Sequence, residues 1–335
     1  MTTRAMRPSP ISTTVDFDKD GVQHGFLKLP YSRDDSAWGA VMIPIAVVKR
    51  GQGPTALLTG ANHGDEYEGP IALFNLANEL DLAQISGRII TVPAMNYPAF
   101  RAGTRTSPID KGNMNRVFPG RPDGTVTEKI ADYFQRHLLP LADYVLDIHS
   151  GGKTLQFAPF AAAHLLPDKT QQARCVAAMR AFNAPYGMMM RELDSVGMYD
   201  SAAEEMGKIF LSTELGGGGS ATAATADIAR RGVRNLLVHA GILAGAAIRR
   251  PSIDLDMPSG DCYVASESAG LLEMRVDLGV AVRKGDVVAR VHGYDRTGVA
   301  PIEYQAKLDG MLAGRHFPGL VQPGDTIAVV AVPMS

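Results

Sequence analysis

Residues 55–80 read TALLTGANHGDEYEGPIALFNLANEL. The opening TALLTG (Thr55–Gly60) is a short, continuous apolar run bounded by glycine, the pattern of a strand buried on both faces. From Glu68 to Leu80 the pattern becomes helical. A polar loop carrying His63 and Glu66 joins the two. Catalytic groups commonly sit in such loops, at the carboxyl ends of parallel strands. One stretch therefore suggests both a fold and a place for chemistry.

The same alternation extends outward. Val41–Lys49 (VMIPIAVVK), Arg88–Met95 (RIITVPAM), Tyr144–His149 (YVLDIH) and Lys208–Leu215 (KIFLSTEL) are further strand candidates. Helices are expected over Thr127–Leu139, Lys169–Phe182 and Ala221–Leu243. Strand–helix alternation predicts an α/β fold with a mixed, mostly parallel sheet flanked by helices. After Pro251 helical periodicity stops and glycines punctuate short β-rich pieces. VRKGDVVARV and VQPGDTIAVV look like two copies of one hairpin unit, each with a Gly-Asp turn before an alternating strand. Two domains are expected: residues 1–250 carrying the chemistry, and residues 251–335 forming a small all-β barrel or sandwich, with IRRPSID at the boundary.

Composition narrows the function classes. Of 335 residues 45% are apolar and 20% charged, with a formal net charge of -2, the balance of an ordinary soluble globular protein. No basic field suits nucleic acid, and no apolar run reaches the roughly 20 residues of a membrane span. The first twenty residues lack the apolar core of a signal peptide. Cys175 and Cys262 are too few for a disulfide framework or a cysteine-ligated zinc. A cytoplasmic protein fits these features, with no nucleic-acid or membrane partner. Assembly into a homo-oligomer stays open.

In the loop after Gly60, the spacing His63-x-x-Glu66 puts a nitrogen and an oxygen within reach of one metal ion. A helix-capping loop with a surface histidine is the plainer alternative. His149 closes another apolar run, and Asp147, on the same face, could accept its second ring N–H. Two His and one Glu from separate strand ends make the three-ligand zinc set that leaves a position for water. Glu214, at the end of FLSTEL, is a candidate proton acceptor, since a carboxylate in so apolar a run needs a reason to be there. The GGGG that follows suggests close backbone approach to something. PAFRAGTRTSPIDKGNMNRVFPG (98–120) supplies Arg101, Arg105, Asn115 and Arg116. It is either a solvated basic loop or a grip for a carboxylate.

His63-Gly-Asp-Glu66, Asn115-Arg116, His149 and Glu214, in this order, resemble the succinylglutamate desuccinylase/aspartoacylase family, relatives of the zinc carboxypeptidases. The likeness covers roughly residues 40–250. It implies one zinc ion per chain on His63, Glu66 and His149, with Glu214 as general base and then acid. It also implies that Asn115 and Arg116 hold the substrate's α-carboxylate, while Arg105 polarises the scissile carbonyl. VQHGFLKLPYSRDDSAWG, TGANHGDEYEGP and VGMYDSAAEEMGK further resemble the N-acetyl-diaminobutyrate deacetylases of ectoine breakdown. That implies a zinc-dependent amidohydrolase releasing acetate from N2-acetyl-L-2,4-diaminobutyrate. Such a substrate's side-chain ammonium needs an acidic partner, and Glu192 and Asp194 are candidates. The C-terminal segment resembles the barrel-sandwich of biotinyl and lipoyl carriers but has Leu308-Asp309-Gly310 where a lysine is expected, which implies a structural role. Rival readings are a deacylase for another N-acyl amino acid, a zinc carboxypeptidase with the same carboxylate grip, and a non-catalytic binding protein, which would have no need of Glu214.

Overall fold

The computed structural model describes residues 7–190 and 195–334, so Glu192 and Asp194 lie outside the described residues. The chain opens with β1 (Ser12–Thr13), β2 (Gly21–Pro30), β3 (Ala40–Arg50), β4 (Thr55–Gly60), α1 (Glu68–Glu79), β5 (Gly87–Val92) and α2 (Tyr97–Ala102). It continues with α3 (Val126–Tyr133), β6 (Tyr144–His149), β7 (Leu155–Phe157), β8 (Phe160–His164), α4 (Lys169–Phe182), β9 (Tyr186–Met190), α5 (Tyr199–Glu205), β10 (Ile209–Glu214) and α6 (Ala223–His239). Apart from β7, these strands lie in the order β1-β2-β3-β5-β4-β6-β10-β8-β9. Adjacent residues of β4 serve opposite faces, as the period-2 geometry of a strand requires. Leu58 packs with Leu73, Ile148, Leu211, Phe182 and Leu236, while Leu57 packs with Ile90, Val145, Phe210, Phe134 and Tyr199.

The sheet is mixed. Its centre, β5-β4-β6-β10, is parallel, but β2, β3 and β5 pair antiparallel on one side, and β8 runs antiparallel to β10. The expectation of a mostly parallel sheet overlooked two connections. β2 and β3 are joined by a tight return that sequence reading did not register as a hairpin. β8 follows β6 within a dozen residues, too short a link for a helical crossover. The expected helix over Thr127–Leu139 also changes character: α3 starts on a capping box of Thr125 and Glu128, then widens to a π turn over Phe134–Leu138.

The C-terminal segment contributes β11 (Ile253–Asp256), β12 (Tyr263–Ala265), β13 (Gly270–Met274), β14 (Ala281–Val282), β15 (Val287–His292), β16 (Ile302–Gln305), β17 (Gly310–His316), β18 (Leu320–Val321) and β19 (Thr326–Pro333). Four of these form a separate antiparallel sheet, β16-β15-β13-β18. The rest extend the large sheet: β11 pairs parallel with β9, β19 antiparallel with β11, and β17 with β19. The two Gly-Asp repeats are built alike. Gly285 and Gly324 both have φ 94°, and the Asp286 and Asp325 carboxylates accept from Arg283 N and Gln322 N at 2.8 Å each. Neither closes a hairpin, because the left-handed glycine sends the chain across to the opposite sheet. β14 pairs with β17 while β15 pairs with β13 and β16. No helix among the described residues is long and apolar enough to cross a membrane.

Candidate active site

The parallel strands β4, β6 and β10 end together. Gly60 is in register with Ile148, and Glu214 with His149. The three loops that follow therefore leave the sheet side by side at its carboxyl edge. Gly64 lets the first of them fold down tightly, since a Cβ there would lie 2.0 Å from the Ala99 carbonyl carbon. The turn brings His63 and Glu66 over the end of β6.

There the ligand atoms of His63, Glu66 and His149 lie within 4.8 Å of one another, so the group could hold a metal ion. Glu66 Oε1 is 2.8 Å from His63 Nδ1, and Oε2 is 2.9 Å from His149 Nδ1. The outer nitrogens are also engaged. His149 Nε2 donates to Asp147 Oδ2 at 2.7 Å, and His63 Nε2 to Asn113 Oδ1 at 3.2 Å. These contacts turn both Nδ1 atoms inward, the arrangement that orients imidazoles around a cation. Asp147 is itself held by Asn62 Nδ2 and Thr59 Oγ1 at 2.8 and 2.7 Å. All three candidate ligands are buried.

Charge in the cluster points the same way. Burial alone would raise Glu66, but the His63 and His149 rings outweigh it and hold the carboxyl below its usual range. Burial opposes charge on His149, yet Asp147 and Glu66 together raise it well above the ordinary histidine value. Burial lowers His63. Glu214 Oε2 is buried without a hydrogen-bond partner. Burial first, and then the Glu66 carboxylate, push the Glu214 carboxyl up to about 8. Three carboxyl groups, one of them orphaned, thus crowd two imidazoles and call for positive charge. A divalent cation with N/O ligands fits this donor set.

A cavity of about 170 Å³ opens over the cluster, lined by His63, Asp147, His149 and Glu214 and also by Arg105, Asn115 and Arg116. Arg105 Nη1 reaches to 3.7 Å from Glu66 Oε1, with its side chain 43% exposed. Asn115 spends its side-chain oxygen on Tyr199 N at 2.9 Å, which leaves its amide N–H groups to the cavity. Arg116 donates to the Asn115 carbonyl at 2.6 Å and is exposed. Arg101 is not part of the site; it stacks over Tyr97 and does not line the cavity.

Sequence reading missed the far wall, where His164, Asp200, Met190, Met198 and Phe210 stand. Asp200, buried in the first turn of α5, bonds Ser201 Oγ at 3.1 Å. Its signal is in the sequence: it is the third acidic residue of RELDSVGMYD, after Glu192 and Asp194. The GGGG run proves to approach backbone. Gly216 O accepts from Gly151 N at 3.1 Å and Phe157 N at 2.9 Å, and Gly218 N donates to Leu155 O at 3.0 Å.

Residues 52–240 match the model of the succinylglutamate desuccinylase/aspartoacylase catalytic domain. Over 327 residues the chain is 60% identical to N-alpha-acetyl-L-2,4-diaminobutyric acid deacetylase of Halomonas elongata, covering 97% of this chain and 96% of that protein. Among solved structures it resembles the product-bound ectoine utilization protein EutE (DoeB) of Ruegeria pomeroyi, with 63% identity and a TM-score of 0.96 over 97% of this chain and all of that one. A succinylglutamate desuccinylase/aspartoacylase of Rhodobacter sphaeroides matches at 38% identity and a TM-score of 0.93, over 98% and 100% of the two chains. The chain belongs to the succinylglutamate desuccinylase/aspartoacylase family.

Proposed function

We propose that this protein is a zinc-dependent amidohydrolase that removes the acetyl group from N2-acetyl-L-2,4-diaminobutyrate. One observation carries the reading: the orphaned, proton-hungry Glu214 carboxyl shares a cavity with the His63–Glu66–His149 cluster and the Asn115–Arg116 pair. The 60% identity to a named diaminobutyric acid deacetylase supports the substrate, as does the likeness to a product-bound ectoine utilization protein.

His63, Glu66 and His149 would hold the zinc, which when bound supplies a Lewis acid that acidifies water and polarises an acyl carbonyl. Glu214 takes a proton from the attacking water as its oxygen adds to the carbonyl carbon. It returns that proton to the leaving nitrogen as the C–N bond breaks, giving acetate and a free amine. Its raised proton affinity suits both halves of this exchange. Arg105, beside Glu66, faces the developing oxyanion. Arg116 and the Asn115 amide grip the α-carboxylate. Among the described residues, the carboxylates lining the cavity are Asp147, Asp200 and Glu214. Asp200, which lines the same cavity, is assigned to the substrate's side-chain ammonium. Residues 1–250 would carry this chemistry and residues 251–335 would form a supporting β module.

Acetate release from a panel of N-acetylated amino acids, with one C-terminal peptide substrate alongside and zinc content measured, tests the proposal. Turnover of acetylated diaminobutyrate well above the rest is expected. Peptide cleavage without acetate release would assign a carboxypeptidase instead.

A further inference from the structure

The face of α6 turned from the catalytic loops carries Asp227, Arg230, Arg231, Arg234 and Val238, spaced three or four residues apart and so on one stripe. The segment after the helix is pinned against it by Asn235, whose side chain bonds Ile248 O at 2.9 Å and Ile248 N at 2.8 Å. Between them lies a cavity of about 380 Å³ whose wall also includes Arg250. Four guanidinium groups thus face one carboxylate, leaving three positive charges unbalanced in a chain whose net charge is -2.

The lone acid is already taken. Asp227 pairs with Arg230 at 2.7 Å and reaches Arg250 at 3.9 Å. Arg231 is 5% exposed, its Nε is buried without a partner, and its Nη1 meets only neutral groups, Asn183 O at 2.9 Å and Asn183 Oδ1 at 3.3 Å. Asn183 ends α4, so Arg231 also sits on a helix C-terminus. That end carries about half an elementary negative charge, too little to offset three. Burial and the neighbouring Arg250 disfavour the charged form of Arg231 more than Asp227 favours it. A buried guanidinium facing other guanidiniums is costly unless an anion joins them.

We propose that this cavity binds a small dianionic oxyanion, either a phosphate monoester or a dicarboxylate. Planar guanidinium forks match paired charged oxygens, and the volume falls within the range of small-ligand sites. The site lies away from the His63–Glu66–His149 cluster and does not depend on the deacetylase reading.

Inorganic phosphate and succinate serve as probes in titration calorimetry and thermal unfolding, against sodium chloride at equal ionic strength. Saturable binding is expected for at least one of them, and which one binds identifies the source. R230A/R234A removes two solvent-side arginines and should retain the fold, checked by its unfolding in chloride. It should weaken binding about tenfold or more. Arg116→Ala should leave binding intact, which separates this cavity from the candidate active site. General stabilisation by phosphate acts on every variant alike. Equal effects in wild type and R230A/R234A, loss in Arg116→Ala, or no saturable binding of either anion would overturn the proposal.

Discussion

Glu214→Gln should lower activity and raise the stability of the metal-free chain, two effects of opposite sign from one atom exchange. Losing the general base should cost kcat about 10²–10⁴-fold, roughly 3–5 kcal/mol of barrier, with KM little changed. The stability effect follows from burial. Glu214 Oε2 is enclosed without a partner, and the carboxyl is pushed up to about 8 from an ordinary 4.5. Because the folded value is raised, the penalty is absent below pH 4.5, grows through the interval and is complete above pH 8. At that limit it amounts to up to about 5 kcal/mol. A neutral amide of the same shape escapes it. Chelator-treated wild type and Glu214→Gln should therefore be compared by urea unfolding at pH 8 and pH 5, with acetate release measured on the zinc-loaded forms. The variant should be the more stable at pH 8, with the gap closing at pH 5. Equal or lower stability of the variant at pH 8 would refute the buried, charge-starved carboxyl. A loss confined to KM would refute its role in proton transfer.

Other perturbations separate the remaining roles. His149→Ala should lose zinc, read by metal analysis, while circular dichroism stays near wild type, since two ligands hold the ion far more weakly than three. Arg116→Ala should cut kcat/KM for acetylated diaminobutyrate about 10–100-fold, less than a buried pair would give because Arg116 is exposed. Against an analogue with a primary amide in place of the carboxylate, the same variant should be nearly as fast as wild type. Asp200→Asn should raise KM for acetylated diaminobutyrate but not for N-acetyl-2-aminobutyrate, which lacks the ammonium; equal effects on both would remove Asp200 from specificity. Gly217→Ala, at φ 128° with its Cβ 2.2 Å from Leu155 O, should lower stability by at least about 1–3 kcal/mol in thermal unfolding.

Legibility in the sequence followed the type of physical signal. β4, β6 and α4 fall on their expected bounds because each is a continuous apolar or helical run, with β4 ending at Gly60 and α4 at the Asn183 cap. β9 (YGMMM) was invisible: methionine has no strong strand preference and the stretch follows α4 directly. β8 (FAAAH) reads locally as helix, and only its pairing between β10 and β9 makes it a strand. In the site, the geometry brought His63, Glu66, His149, Asp147 and Glu214 together from loops and strand ends that each carried a local mark. Asp200 carried only a weak mark, as the last acid of RELDSVGMYD, and His164 carried none, because what places it is packing between α5, β8 and β10, distant in sequence. The glycine run marks close backbone approach, but its partner, the backbone of 151–157, is set only in three dimensions.

That partner explains why the C-terminal β segment bears on the chemistry although none of its residues lines the candidate active-site cavity. β7 pairs antiparallel with β17, Gly314 opposite Phe157, with no room for a side chain on the glycine, since a Cβ there would meet the Phe157 ring at 2.7 Å. Arg315 donates to Gln156 Oε1 at 2.6 and 3.0 Å, and Phe317 N to Thr154 O at 2.8 Å. The loop after His149 is thereby clamped from one side by β17 and from the other by Gly216–Gly219, which directly follow Glu214 and Leu215. A shared apolar core of Phe160, Met188, Met311, Ala313 and Val329 closes the joint. His149 and Glu214 are adjacent in register, so the loops leaving them are held together by backbone hydrogen bonds as well as by the sheet. Positioning of a catalytic pair to within about 0.5 Å depends on such supporting contacts. The β segment is thus a brace for the two loops that carry the candidate ligand His149 and the candidate base Glu214.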